Sequence, residues 1–276
     1  VRFLRLAEIV DELDHVDAAD AVERAKTNPA LRMALEISRP ANWHGTGLGP
    51  NEILSMAMES GIPVAWVPSA EVLRALVSGH PSHRMSLLVR HESDVVDHGR
   101  ELLRECDDPW TDDEQHLLSK ALSAYEAGFH EAAMALAVVV GEPLALWASI
   151  PRAQVLDSAY GASGFDTAKL SGYQRARLEF ESKLANSSAS ARNYDVLRQA
   201  LIAPIPSFFT PFFGKPGEPI PETLSRHATV HHPTPQHLSR ENALIALMLG
   251  VSILRDQQAW AEEVRFEESE QGVDWD

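Results

Sequence analysis

Apolar residues in this chain recur at spacings of three and four and almost nowhere alternate, and that periodicity confines the fold to helices. The clearest case is near the C-terminal end. Leu244, Leu247, Met248, Val251 and Leu254 fall on one face of a helix expected from about Ser239 to about Trp260. Phe3, Leu6, Ile9, Val10 and Leu13 repeat the pattern over residues 2–15, and a shorter helix is expected over 29–37. Glu52 to Glu59 resumes it after a loop broken by Pro40, Gly45, Gly47, Gly49 and Pro50. Ser69 can cap a helix reaching Val77, and residues 85–105 read as one long helix with Leu87, Leu88, Val95, Leu102 and Leu103 on its apolar side. The single extended candidate is Ile62 to Pro68, whose bounding prolines favour an isolated strand or a buried connector over a sheet. The expected class is all-α.

Asp107, Asp108, Pro109 and Trp110 mark the best boundary, because proline disfavours helix at the residue before it and a start signal follows at once. Thr111 and Glu114 fit a capping box, with Asp112 and Asp113 suited to the positive end of the helix dipole. The expected division is a helical N-terminal region over 1–108, a helical bundle over 109–261 and an acidic tail over 262–276. In the bundle, a first helix to about Ala127 buries Leu117, Leu118, Ala121, Leu122 and Tyr125. Gly128 interrupts, and a second helix from Phe129 carries Ala132, Ala133, Leu136, Ala137, Val140, Leu144 and Trp147, with a kink expected at Pro143. Residues 170–184 and 191–203 read as further helices, and the prolines and glycines from Pro204 to Pro219 make a long break.

The longest strongly apolar stretch, residues 243–254, is shorter than the roughly 20 residues a bilayer helix needs, so no membrane span is expected. The N-terminus lacks the uninterrupted apolar core of an export signal, and the lone Cys106 cannot form an internal disulfide. Both features point to a reducing, cytoplasmic setting. A formal charge of -16 excludes broad coating of nucleic acid, which draws on clustered Lys and Arg, so any RNA contact must be local. Glu262, Glu263, Glu267, Glu268, Glu270, Asp274 and Asp276 read as a solvated or disordered end.

Just ahead of the final helix, Arg226 precedes His231 by five positions. Such a pair can cleave RNA without a metal or cofactor. A neutral imidazole takes the proton from a ribose 2′-hydroxyl, while a guanidinium holds the charge growing on the attacked phosphate. The spacing alone carries nothing: with 19 arginines, 12 histidines and a gap of four to six residues allowed between the two, chance supplies about two or three such pairs. Arg39 with His44, Arg74 with His80, and Arg84 with His91 match it too. Context separates them. Only Arg226 is followed by a polar residue, His227, and only Arg226 lies at the start of the last helix of a candidate bundle.

That combination resembles the HEPN superfamily (higher eukaryotes and prokaryotes nucleotide-binding). There, an Arg, a polar residue and a His four to six positions on sit beside the last long helix. Ala121, Tyr125, Gly128, Phe129, Ala132 and Ala133, followed by Glu142, are similar to the opening hairpin of many members. The resemblance spans residues 111–260 and is diffuse outside Arg226 to His231. It implies a metal-independent endoribonuclease with Arg226 and His231 as catalytic residues and His227 and Glu142 as auxiliary ones. It also implies a homodimer whose two motifs share a cleft for the RNA substrate, an antitoxin or regulatory protein as a further partner, and a role as a prokaryotic toxin or antiviral defence effector. Two other readings stand beside it. His227, His231 and His237 can be drawn as a metal site, but no Glu follows His227 and Pro233 and Pro235 limit the helix. A non-catalytic module that binds a nucleotide or a protein suits the acidic charge. Gly45 to Gly49 lacks the lysine and preceding strand of a phosphate loop.

Overall fold

A computed structural model of the chain describes residues 40–148 and 193–270, together with Arg24 and Thr27. The helices expected over 2–15, 29–37 and 170–184 lie outside the described residues. Within them the protein is all-α, with no strand. The helices are α1 (Pro50–Ser60), α2 (Ala70–Ser78), α3 (Arg84–Arg90), α4 (Glu92–Glu105), α5 (Asp112–Glu126), α6 (His130–Ala148), α7 (Asn193–Ile202), the single turn α8 (Ile205–Phe208), α9 (Arg226–His231) and α10 (Arg240–Glu270).

The core is organised around α10, which packs along α6 and also meets α3, α4 and α5. Every residue from Asn242 to Ala259 is buried, Arg255, Asp256, Gln257 and Gln258 included. The expected stripe of Leu244, Leu247, Met248, Val251 and Leu254 is there, but the helix is covered on all sides, as a central helix must be. Gly250 allows that closeness: a Cβ on it would lie 2.8 Å from the Leu118 side chain of α5. Against this axis α5 and α6 form an antiparallel hairpin turned at Gly128, whose φ of +82° an L side chain rarely adopts. The buried apolar residues run as one cluster from Trp43 to Ala259, across the turn at 107–110. The Gln258 side chain of α10 seals that turn, accepting from the Asp107 and Asp108 backbone N–H groups at 3.1 and 3.0 Å.

Several local expectations need correction. The helix expected over 85–105 is two helices, broken at His91, where φ is -102° and ψ is 18°. The Thr111–Glu114 capping box does not form. The Asp108 carboxylate instead accepts from the Trp110 N–H at 2.9 Å, and the Thr111 hydroxyl donates to the Asp108 carbonyl, making a 3-10 turn ahead of α5. Leu117 and Phe129 face outward, and Ala132 is exposed. Of the acidic stretch 262–276, the described part through Glu270 is a helical extension of α10 in which Arg265 reaches Asp107 at 3.2 Å. In line with expectation, Ile62 to Pro68 is a buried connector and not part of a sheet, gripped by Asn42, whose Nδ2 donates to the Val64 and Pro68 carbonyls, and by the Trp43 indole N–H. Cys106 is buried, and burial pushes its thiol up to about 12. Among the described residues no helix is long and apolar enough to cross a membrane.

Candidate functional site

The short helix α9 carries the site and is built to be held still. Ser225 caps it: its hydroxyl accepts from the Ala228 N–H at 3.2 Å and donates to the Thr210 carbonyl at 2.7 Å, tying the helix start to the preceding loop. Beneath it, His237 is fully buried, with Nδ1 3.0 Å from the Pro221 carbonyl and Nε2 3.3 Å from the Thr229 hydroxyl. Nε2 also lies 3.1 Å from the Ser225 carbonyl, which accepts the Thr229 hydroxyl at 2.8 Å, so the ring is tied to three oxygens beneath the helix. Pro233 prevents the helix from continuing, and α9 lies against α6.

Packing on α6 brings Glu142 to Arg226. The Arg226 Nε donates to Glu142 Oε2 at 2.9 Å, with the arginine side chain only 11% exposed and the glutamate 25%. That burial makes the contact more than a solvated surface pair, because a guanidinium withdrawn from water holds its geometry through its partners. The Arg226 Nη1 lies 2.8 Å from His231 Nε2. Arginine only donates, so Nε2 accepts, and His231 in this arrangement is neutral with its proton on Nδ1. His231 is exposed, at the open side of the pair. Glu142, Arg226 and His231 thus form a chain from a half-buried helix face to solvent.

His227 completes the group. Its ring stands edge to face against His231, with centroids 5.0 Å apart, and its Nδ1 accepts the Phe212 N–H at 3.1 Å. Burial, then the nearby His231, His232 and Arg226, hold its pKa below the ordinary imidazole value, with Glu218 opposing them. All four sequence-derived residues, Arg226, His231, His227 and Glu142, therefore meet in one place.

Other arginine–histidine pairs of similar spacing go elsewhere. Arg84 is bound to Glu59 at 2.7 Å and to the Leu76 carbonyl, while His91 faces Asp94. His80 turns to Ser82. Arg39 lies outside the described residues. The metal reading loses its third ligand, because His237 points inward to Pro221, Ser225 and Thr229. Among the described residues no group of three or more His, Cys, Asp or Glu is placed to hold a metal ion.

Sequence reasoning treated the Pro- and Gly-rich stretch after Pro204 as a break and passed over the residues that wall the site. Phe213 lies edge to face with His227 at 5.2 Å, and His232 is packed against Phe212 and His227. Glu218 fastens this loop by accepting the Phe213 N–H at 3.1 Å and the Lys215 N–H at 3.0 Å, and the Lys215 N–H is the larger cause of its lowered pKa. The available signal was two aromatics and a lysine among residues that otherwise mark turns. Comparison with protein-family models, curated proteins and solved structures finds no match for this chain.

Proposed function

We propose that the protein is a metal-independent endoribonuclease of the HEPN type, with His231 as general base and Arg226 as the group that stabilises the phosphate. The observation that carries this is the direct contact of the two side chains, with Arg226 anchored from behind by Glu142. In the reaction, the Arg226 guanidinium leaves the His231 Nε2 lone pair and turns to the phosphate. Nε2 then takes the proton of the ribose 2′-hydroxyl, and the 2′-oxygen attacks the adjacent phosphorus. The bond to the 5′-oxygen breaks, that oxygen takes up the proton that the His231 imidazolium gives back, directly or through water, and a 2′,3′-cyclic phosphate remains on the upstream fragment. Arg226 offsets the added negative charge on the phosphate oxygens, and its rigid fork suits two oxygens at once. Burial and the neighbouring cationic groups hold the His227 pKa below the ordinary imidazole value, which disfavours a competing charge beside the pair. A toxin or antiviral defence role, with a regulatory protein or antitoxin as partner, accompanies this reading.

The test is incubation of pure protein with cellular RNA in excess chelator, followed by analysis of the new ends. Cleavage leaving 2′,3′-cyclic phosphates is the expected result, and intact RNA, or cleavage abolished by the chelator, refutes the proposal. One observation favours a second reading as a non-catalytic nucleotide- or protein-binding module: Arg226 occupies the very lone pair that a base needs. Under that reading RNA or nucleotide binds without being cut.

A further inference from the structure

The loop beside the catalytic pair presents an aromatic ring and a cation together on an acidic protein. Phe213 is 48% exposed, unlike its neighbours Phe208, Phe209 and Phe212, which are all buried. Trp110 and Phe129 are more exposed still, so what sets Phe213 apart is its place: its ring stands edge to face against His227 at the wall of the site. Lys215, one of five lysines in a chain of net charge -16, places its ammonium 5.2 Å from the centre of that ring. Neither residue is loosely held at its backbone. Glu218 accepts both their N–H groups, and Gly214 between them takes a φ of +61°, so close to His232 that a Cβ would meet Nδ1 at 2.7 Å. Phe212 donates to His227, locking the loop to α9. From Phe213 the ring contacts run through His227 to His231, so the exposed aromatic stands one ring away from the base.

We infer that Phe213 is a stacking platform for an unpaired nucleobase of the substrate, with Lys215 as the contact to a flanking phosphate, so that the substrate class is single-stranded RNA or an unpaired loop. The inference rests on the reading of Arg226 and His231 as an RNA-cleaving pair and adds how that site chooses and positions its strand. A base laid on the ring displaces the lysine, whose flexible stem lets the ammonium move from the π-face to a phosphate oxygen. Bases of every kind have a face to stack, so the platform gives preference for unpaired over paired RNA without strong sequence preference. An A-form duplex keeps its bases stacked inside and offers none.

The experiment measures binding apart from cleavage, using the full chain and a fluorescein-labelled single strand whose 2′-oxygens are methylated, which removes the nucleophile. Fluorescence anisotropy of the wild type should show binding for which an unlabelled duplex of the same sequence competes poorly. Phe213→Ala should weaken binding by about tenfold to a hundredfold, the range for loss of one stacked base. Phe213→Leu should weaken it as much, because it keeps apolar bulk and loses the π-face, whereas Phe213→Trp should bind as well as wild type or better. Lys215→Ala should lower the slope of log affinity against log salt by about 0.7, the share of one phosphate on a single strand. Thermal melting of each variant checks that α9 is intact. Leucine binding like wild type, tryptophan binding like alanine, or equal competition by the duplex would overturn the inference. Phe213-dependent binding with no cleavage of ordinary RNA would leave the platform standing and remove the nuclease reading. Cleavage by a Phe213→Ala variant with unchanged KM would do the reverse, and a wild type that neither binds nor cleaves would remove both.

Discussion

Arg226 answers to two partners at once, and this decides what can replace it. Its Nε is committed to Glu142 and its Nη1 to His231, two directions fixed by the planar fork. A lysine offers one ammonium on a flexible stem and cannot stay on Glu142 while gripping two phosphate oxygens, so Arg226→Lys should fail nearly as badly as Arg226→Ala. Each of Arg226→Ala and His231→Ala should slow cleavage of labelled RNA by about 100-fold or more, with circular dichroism unchanged. Glu142→Gln keeps the shape but loses the charge, and should cost about tenfold, in kcat more than in KM, because the guanidinium is still near but no longer aimed. His44→Ala is the control and should cleave at close to the wild-type rate. A large loss there with His231→Ala active would mean that the wrong histidine had been chosen. The residues of the pair were legible in the sequence only through their place before the last helix, since the spacing occurs freely by chance. Glu142 lies 84 positions from Arg226, and nothing local could show that contact; it depends on α9 settling against α6.

The elements meet at junctions that local sequence describes poorly. One joins the start of α4, the end of α5 and the start of α10: Glu92 accepts from the Tyr125 hydroxyl at 2.7 Å and pairs with Arg240 through both carboxylate oxygens. The Arg240 hydrogen bond is the main cause that holds the Glu92 pKa below the ordinary carboxylate value, and burial with the neighbouring Glu92 pushes the Tyr125 phenol upward. A carboxylate with a depressed folded pKa binds fewer protons than its unfolded form through the window between the two values. Its contribution is therefore complete above the unfolded value of about 4.3 and is lost as pH falls through the folded one. Glu92→Gln should lower stability at pH 7 by about 1–2 kcal/mol, since it loses a charged pair that is partly open to water. Chemical denaturation at a series of pH values should show the gap between wild type and Glu92→Gln closing below about pH 4. A gap that stays constant with pH would mean that the carboxylate charge is not what holds the junction. The same junction explains a misreading: no Gly or Pro marks His91, so residues 85–105 look continuous, yet the chain turns there and a new helix starts with Glu92 and Asp94 in its first turn. Thr111 misled in the opposite way, because Asp108 and Pro109 already build a 3-10 turn whose closure draws the Thr111 hydroxyl backward. What periodicity does report well is burial, and so α5, α6, α7 and α10 were legible as helices while their caps and breaks were not.

At the scale of the whole molecule, charge and site pull in opposite directions. On the proposed reading, a chain of net charge -16 must hold RNA through the few cations at this site, Arg226 and Lys215, so strand binding rests on a few phosphate contacts. The same charge repels a second copy of the chain. One Arg–His pair is sparse for a whole active site, and the expected working form is a homodimer in contact through residues 111–260, with the two pairs facing one groove. Leu117 and Val139 turn outward from the α5–α6 hairpin and give that surface an apolar component. Salt then separates the two kinds of association, because it acts on them with opposite sign. Screening two like-charged protomers favours their meeting, since the Debye length shortens from about 30 Å at 0.01 M to about 8 Å at 0.15 M. Salt opposes RNA binding, because each phosphate neutralised by the protein releases counterions into a more concentrated bath. Light scattering at micromolar protein should therefore show a dimer at 0.15 M salt and a rising share of monomer toward 0.01 M. Over the same range, affinity for a non-cleavable single strand should fall with salt, with a slope of about -1.4 to about -2.1 for two or three phosphates. A monomer at every salt concentration would remove the shared groove, and a slope several times steeper would mean that RNA engages far more basic surface than this site provides.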